Sequence, residues 1–144
     1  MTRGCGDRSQ FAPSDARARI GRRGTAVSPG PEADRVLLAL MRDCIERILE
    51  YTNAERLNFD ASRLIQDAVI RNLQTLAESS QRLSAEIKGQ EPGIPWRDLA
   101  GFRNVIVHGY LGVDLEAVWL VVEQDLPQLA QAVERMAQHL GPAD

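Results

Sequence analysis

From Pro31 to Leu140, the apolar residues of this 144-residue chain return every third or fourth position, and this period limits the fold more than any other feature. A repeat near 3.6 residues gathers side chains on one face of a helix, whereas a half-buried strand would alternate. Leu37, Met41, Cys44, Ile48 and Tyr51 form the first such series, widened by Leu38, Ile45 and Leu49. A stripe that broad suits a bundle core rather than a narrow two-stranded seam. Proline suits a first helical turn, so the helix is expected to open at Pro31 and to fade around Asn58. Asp60 is the expected cap of a second helix carrying Ile65, Val69, Leu73, Leu76, Ser80, Leu83 and Ile87. It should run to about Lys88, with Gly89 as its stop.

Residues 90–94 read as a loop, and Pro95 reopens a helix with Trp96, Leu99, Phe102, Val105 and Ile106 on its buried side. Gly109 and Gly112 leave the end of that helix unassigned. Asp114 begins a fourth helix, with Leu115, Val118, Trp119 and Val122 inward. At Asp125-Leu126-Pro127-Gln128, an acid able to cap, a first-turn proline and a glutamine three after the acid resemble a capping box, so a fifth helix should restart there. Leu129, Val133, Met136 and Leu140 complete it before Gly141-Pro142. No strand pattern competes. The expected fold is all-α, two long helices followed by three shorter ones.

Charge divides the chain in two. Residues 1–30 carry six arginines (3, 8, 17, 19, 22 and 23) against Asp7 and Asp15, among Gly, Pro and Ser and without a sustained apolar period. They read as a disordered tail, dispensable for folding, ahead of a helical domain over residues 31–144. The rest of the chain holds 11 basic and 18 acidic groups, so it stands at −7 within a total of −3. A body so acidic is no general nucleic-acid surface, and any RNA contact has to be local. Cys5 and Cys44 form neither a disulfide framework nor a CxxC metal site. No run approaches 18 apolar residues and no signal region follows Arg3 and Arg8, so a soluble, cytoplasmic protein without membrane contact is expected.

Chemistry concentrates in Arg103-Asn104-Val105-Ile106-Val107-His108-Gly109-Tyr110, which holds one of two histidines and one of two tyrosines in the chain. On a helix, Asn104 and His108 are four apart and share a face. Arg103 stands about 7.5 Å from His108 along the axis and roughly 140° round it, a gap its long stem can bridge. A cation, a titratable imidazole and a phenol at one helix end suit phosphate chemistry. The same residues also fit a structural role, with His108 as a cap, Arg103 paired to a carboxylate and Tyr110 packing the loop. There is no HExxH, no glycine-rich phosphate loop, no nucleophile in a known pattern with His108 and no cluster with zinc spacing. Any catalysis should need neither metal nor cofactor.

The Arg103-x4-His108-x-Tyr110 pattern resembles the signature of HepT-like toxins, within the HEPN superfamily of helical domains. The likeness extends through Asp67–Leu73, Ile94-Pro95-Trp96-Arg97, Val118-Trp119 and Asp125-Leu126-Pro127, and covers roughly residues 34–140. One departure falls in the second helix, where the family usually has Gly-Glu-Ala and this chain reads Ala77-Glu78-Ser79. The acid is kept. The resemblance implies a metal-independent endoribonuclease working as a homodimer, with two copies of the motif lining one cleft. Arg103 and His108 would be the catalytic pair, supported by Asn104 and Glu78. Tyr110 would be the site at which a nucleotidyltransferase antitoxin adds AMP to silence the toxin, as in a type VII-like toxin–antitoxin pair. The alternative is an idle HEPN bundle that binds or dimerises with that nucleotidyltransferase.

Overall fold

The structure is a computed structural model that describes residues 30–107 and 114–142, without the side chains of 102–107. Seven α-helices lie within these bounds: α1 Pro31–Thr52, α2 Arg56–Ala61, α3 Arg63–Arg82, α4 Ala85–Gly89, α5 Trp96–Val107, α6 Leu115–Leu120 and α7 Leu126–Leu140. No strand occurs among the described residues, so the all-α expectation holds. The expected tail falls outside them up to residue 29, as do Gly109 and Gly112, and the inward positions expected of Phe102, Val105 and Ile106 are likewise not described. None of the described helices is long and apolar enough to cross a membrane.

Three helices form the frame. α1 packs against both α3 and α7, and α3 also packs against α5. The face that α1 buries is centred on Leu38, Met41, Cys44, Ile45 and Ile48. Leu49 and Tyr51 are exposed, and Leu37 is half-buried, so the apolar stripe sits slightly round from the one expected. α1 also ends six residues before Asn58. Asn53 and Ala54 turn left-handed, with φ of 52° and 57°. Buried Thr52 closes the turn by donating to the Ile48 carbonyl (2.8 Å) and accepting from the Ala54 N–H (3.2 Å). An asparagine in that conformation is a common helix stop.

Two further breaks were hidden by the period. Asp60 does not cap α3: it lies inside the short α2, where Arg56 takes its carboxylate at 3.1 Å. Ser62 is the cap instead, accepting from the Ile65 N–H. α3 ends at Arg82 rather than near Lys88, because Leu83 is extended (φ −60°, ψ 144°). Ser84 then starts α4, which ends at Gly89 as expected. The cause lies 50 residues away. Buried Asp34 accepts from the Ser84 N–H at 2.9 Å and its hydroxyl at 2.6 Å, pulling the chain out of the α3 axis. Leu83 and Ile87 stay in the core on either side of the break.

Asp34→Ala would leave the Ser84 amide without its acceptor, next to a void. Unfolding in urea should show a loss of about 2–3 kcal/mol. Asp34→Asn, which keeps one acceptor oxygen, should lose less. Equal stability of Asp34→Ala and the parent chain would show that the break is set by local sequence alone.

The C-terminal arm also differs from expectation. Asp114 caps α6 through the Ala117 N–H, as expected, but no new helix is capped at Asp125. Instead α6 runs on through a π turn, Val121–Asp125, in which the Leu126 N–H donates to the Val121 carbonyl five residues back. Pro127 has no N–H to offer its own turn, and the wider turn just before it lets the axis continue into α7. Phe59 is fully buried against Trp119, ring centroids 5.5 Å apart, and locks α2 to α6. The flanks are closed by ion pairs: Arg42 on α1 with Glu134 on α7, and Arg56 on α2 with Glu116 on α6.

Candidate functional site

α5 carries the candidate motif. Pro95 opens its first turn, its carbonyl accepting from the Asp98 and Leu99 N–H groups at 3.0 and 3.1 Å. Ile94 sits in the core, while Trp96 and Leu99 pack at its edge. The helix is continuous to Val107, so Arg103 and Asn104 stand on its last two turns. Their side chains, and the whole of His108 and Tyr110, lie outside the described residues. Glu78 is on α3, the helix on which α5 packs, and is exposed. The fold therefore joins the two helices that bear the candidates, and the geometry among the candidate side chains is not described.

The departure at Ala77-Glu78-Ser79 is accommodated by local bonding. Ala77 and Ser79 are buried, and the Ser79 hydroxyl donates to the Thr75 carbonyl at 2.8 Å. Asn72, about two turns earlier in α3, donates to the Ala68 carbonyl at the same distance. Both polar side chains are thus satisfied within α3 and can lie in a packed face.

The segment leading into α5 is held more firmly than its Gln-Glu-Pro-Gly composition suggests. The Trp96 indole N–H donates to the carbonyls of Lys88 and Glu91, each at 3.2 Å. The Glu91 carboxylate is gripped by the Arg135 guanidinium of α7, with contacts of 2.6, 3.1 and 3.2 Å. That hydrogen-bonded cation holds the Glu91 carboxyl below the usual carboxylate range. A lowered carboxyl pKa keeps the pair formed at neutral pH, and the contact is lost only as pH falls through the depressed value. On the far side of the motif, Arg56 grips Glu116, two residues after the described chain resumes.

Two small clefts are visible, each about 130 Å³. One lies between the start of α5 and the π turn, lined by Leu99, Val121 and Leu129 together with Asp98 and Asp125. The other lies at Gly30, Asp34, Ser84 and His139. Both are smaller than the few hundred Å³ of a typical ligand pocket.

An all-α bundle in which α5, carrying the start of this motif, packs on the acid-bearing α3 is a HEPN-type domain. The chain belongs to the HepT-like ribonuclease family, whose model, "Ribonuclease HepT-like", matches residues 41–136. It is 31% identical over 104 residues to a provisionally named RNase of Methanocaldococcus jannaschii, a match covering 69% of this chain and 95% of that protein. It is 35% identical over 95 residues to a "Probable ribonuclease HepT" of Thermococcus cleftensis, covering 65% and 86%. No solved structure matches.

Proposed function

We propose that this chain is a metal-independent endoribonuclease acting as the toxin of a type VII-like toxin–antitoxin pair in the cytoplasm. The observation that carries this is the intact Arg103-x4-His108-x-Tyr110 motif, which begins on α5 and lies inside the span that matches the ribonuclease family. A neutral imidazole with a pKa near 6.5 can take the proton of a ribose 2′-hydroxyl or return one to the departing 5′-oxygen. The 2′-oxygen bonds to phosphorus as the 5′-oxygen leaves, giving a 2′,3′-cyclic phosphate and a 5′-hydroxyl. Arg103 binds the phosphate and stabilises the charge that builds on it. Asn104, four residues before His108 in the chain, orients the ring or contacts the substrate; Glu78 supports the pair from α3.

The working unit is a homodimer with α5 at its interface. Two motifs facing one cleft would concentrate two arginines and two histidines, which is how a body at −7 can hold RNA. Sedimentation of the full chain at micromolar concentration should give a dimer. A monomer that still cleaves RNA at full rate would rule out the shared cleft.

The partner is a nucleotidyltransferase antitoxin that modifies Tyr110. The phenolic oxygen takes AMP from ATP, pyrophosphate leaves, and the phenol gives up its proton. The added phosphate competes for Arg103, and the nucleoside fills the cleft. Expression of the chain alone should arrest growth, and co-expression of the nucleotidyltransferase should restore it. Unimpaired growth, together with purified protein that leaves RNA intact, would contradict the toxin assignment.

A further inference from the structure

The motif helix carries a device at its other end, in Trp96, Glu91 and Arg135. These three come from the first turn of α5, the loop before it and the middle of α7. The indole N–H of Trp96 reaches back to the carbonyls of Lys88 and Glu91, so the first turn of α5 is bonded to the chain that precedes it. The backbone of the loop is closed as well: the Glu91 N–H donates to Lys88 at 3.0 Å and the Ile94 N–H to Glu91 at 3.2 Å. Glu91 is thus the centre of the loop. Its carbonyl accepts from α5, and its carboxylate accepts the fork of Arg135 from α7.

We propose that Trp96, Glu91 and Arg135 form a clamp that sets the rotation and axial position of α5, and hence the placement of Arg103 and His108. All three are positioning residues for the ribonuclease reaction, and this rests on the function proposed above. The lever is geometric. α5 rests on α3 along its flank, and helix faces can slide or roll slightly with little loss of packing. A roll of about 10° moves a group some 7 Å from the axis by about 1 Å. A misplacement of that size can cost on the order of 10²-fold in rate. The Arg135 end of the pair is open to solvent while the Glu91 side chain is largely covered, 14% exposed, and the solvated cation limits what the pair adds to stability. Its bidentate form restricts direction instead, which is what a positioning contact requires.

The test uses the full-length chain in three forms: Trp96→Phe, Arg135→Gln, and the exchanged pair Glu91→Arg with Arg135→Glu. Trp96→Phe keeps the ring and removes the donor. Arg135→Gln changes only a surface side chain and so should fold even if the tryptophan variant does not. Each single variant should lower kcat for RNA cleavage about 10-fold with KM and Tm nearly unchanged, and the exchanged pair should recover most of the loss. Backbone amide shifts of residues 103–108 in isotope-labelled protein should move in both single variants. Unchanged kcat, no recovery in the exchanged pair, or shift changes confined to residues 88–97 and 135 would overturn the clamp. If the parent chain itself left RNA intact, the ribonuclease assignment would fall, and the amide shifts alone would decide whether the clamp sets the helix end.

Discussion

His108→Ala is expected to lower RNA cleavage by about 10²–10⁴-fold, the usual worth of a positioned acid or base, without unfolding the chain. Arg103→Ala should lose about 10²–10³-fold, since charge stabilisation on the transferring phosphate disappears while the proton transfers remain. Circular dichroism and Tm should match the parent in both cases. The core on which the described bundle depends is built from other residues, Leu38, Met41, Ile48, Leu73 and Met136 among them. A folded Arg103→Ala variant with full activity would remove the phosphate clamp from the mechanism. A folded, active His108→Ala variant would remove the imidazole.

The second large effect concerns silencing. Tyr110→Phe keeps the ring and loses only the hydroxyl, so the variant should arrest growth as the parent does. It should no longer be rescued by a co-expressed nucleotidyltransferase, since no oxygen remains to accept AMP. Intact-mass measurement distinguishes the outcomes: the parent should gain one or more AMP groups and the variant none. AMP found on Tyr110→Phe would place the modification elsewhere. Loss of toxicity in a folded Tyr110→Phe protein would make the phenol part of the cleavage chemistry.

The helices could be read from the sequence because each buries a continuous stripe, and the period survives in single residues such as Val69, Leu73 and Leu76. Their ends were legible at Pro31, Gly89 and Asp114, but the breaks inside the long stripes were not, because the period runs through them. The one local signal near Leu83 is Ser84, which caps α4 by accepting from the Ile87 N–H; Asp34, 50 positions earlier, holds that serine in place. The exchange of Asp60 for Ser62 as a cap is local: Asp60 lies inside α2, paired with Arg56 four residues earlier. Asp125 and Pro127 signalled a restart correctly in local terms, yet a π turn absorbed the proline and kept one axis. Phe59 was missed as a core residue because it sits in a six-residue helix too short to show a period.

The candidate site is legible for a different reason. Arg103, Asn104, His108 and Tyr110 fall within eight consecutive residues, so a linear pattern suffices to find them. The contacts that hold their helix do not form a linear pattern. Glu91 and Arg135 are 44 residues apart, and only the folded chain brings them together. Glu78 could be noted only through the family resemblance, since an acid on an exposed helix face has no local signature.

The most direct test of the ribonuclease assignment is end-group analysis of a defined, 5′-labelled RNA after incubation with the purified full-length chain in EDTA. The parent protein should produce fragments ending in a 2′,3′-cyclic phosphate and beginning with a 5′-hydroxyl, and the His108→Ala protein should leave the RNA intact over the same time. Fragments bearing 5′-phosphates, cleavage that EDTA abolishes, or equal cleavage by the parent and His108→Ala would contradict the mechanism.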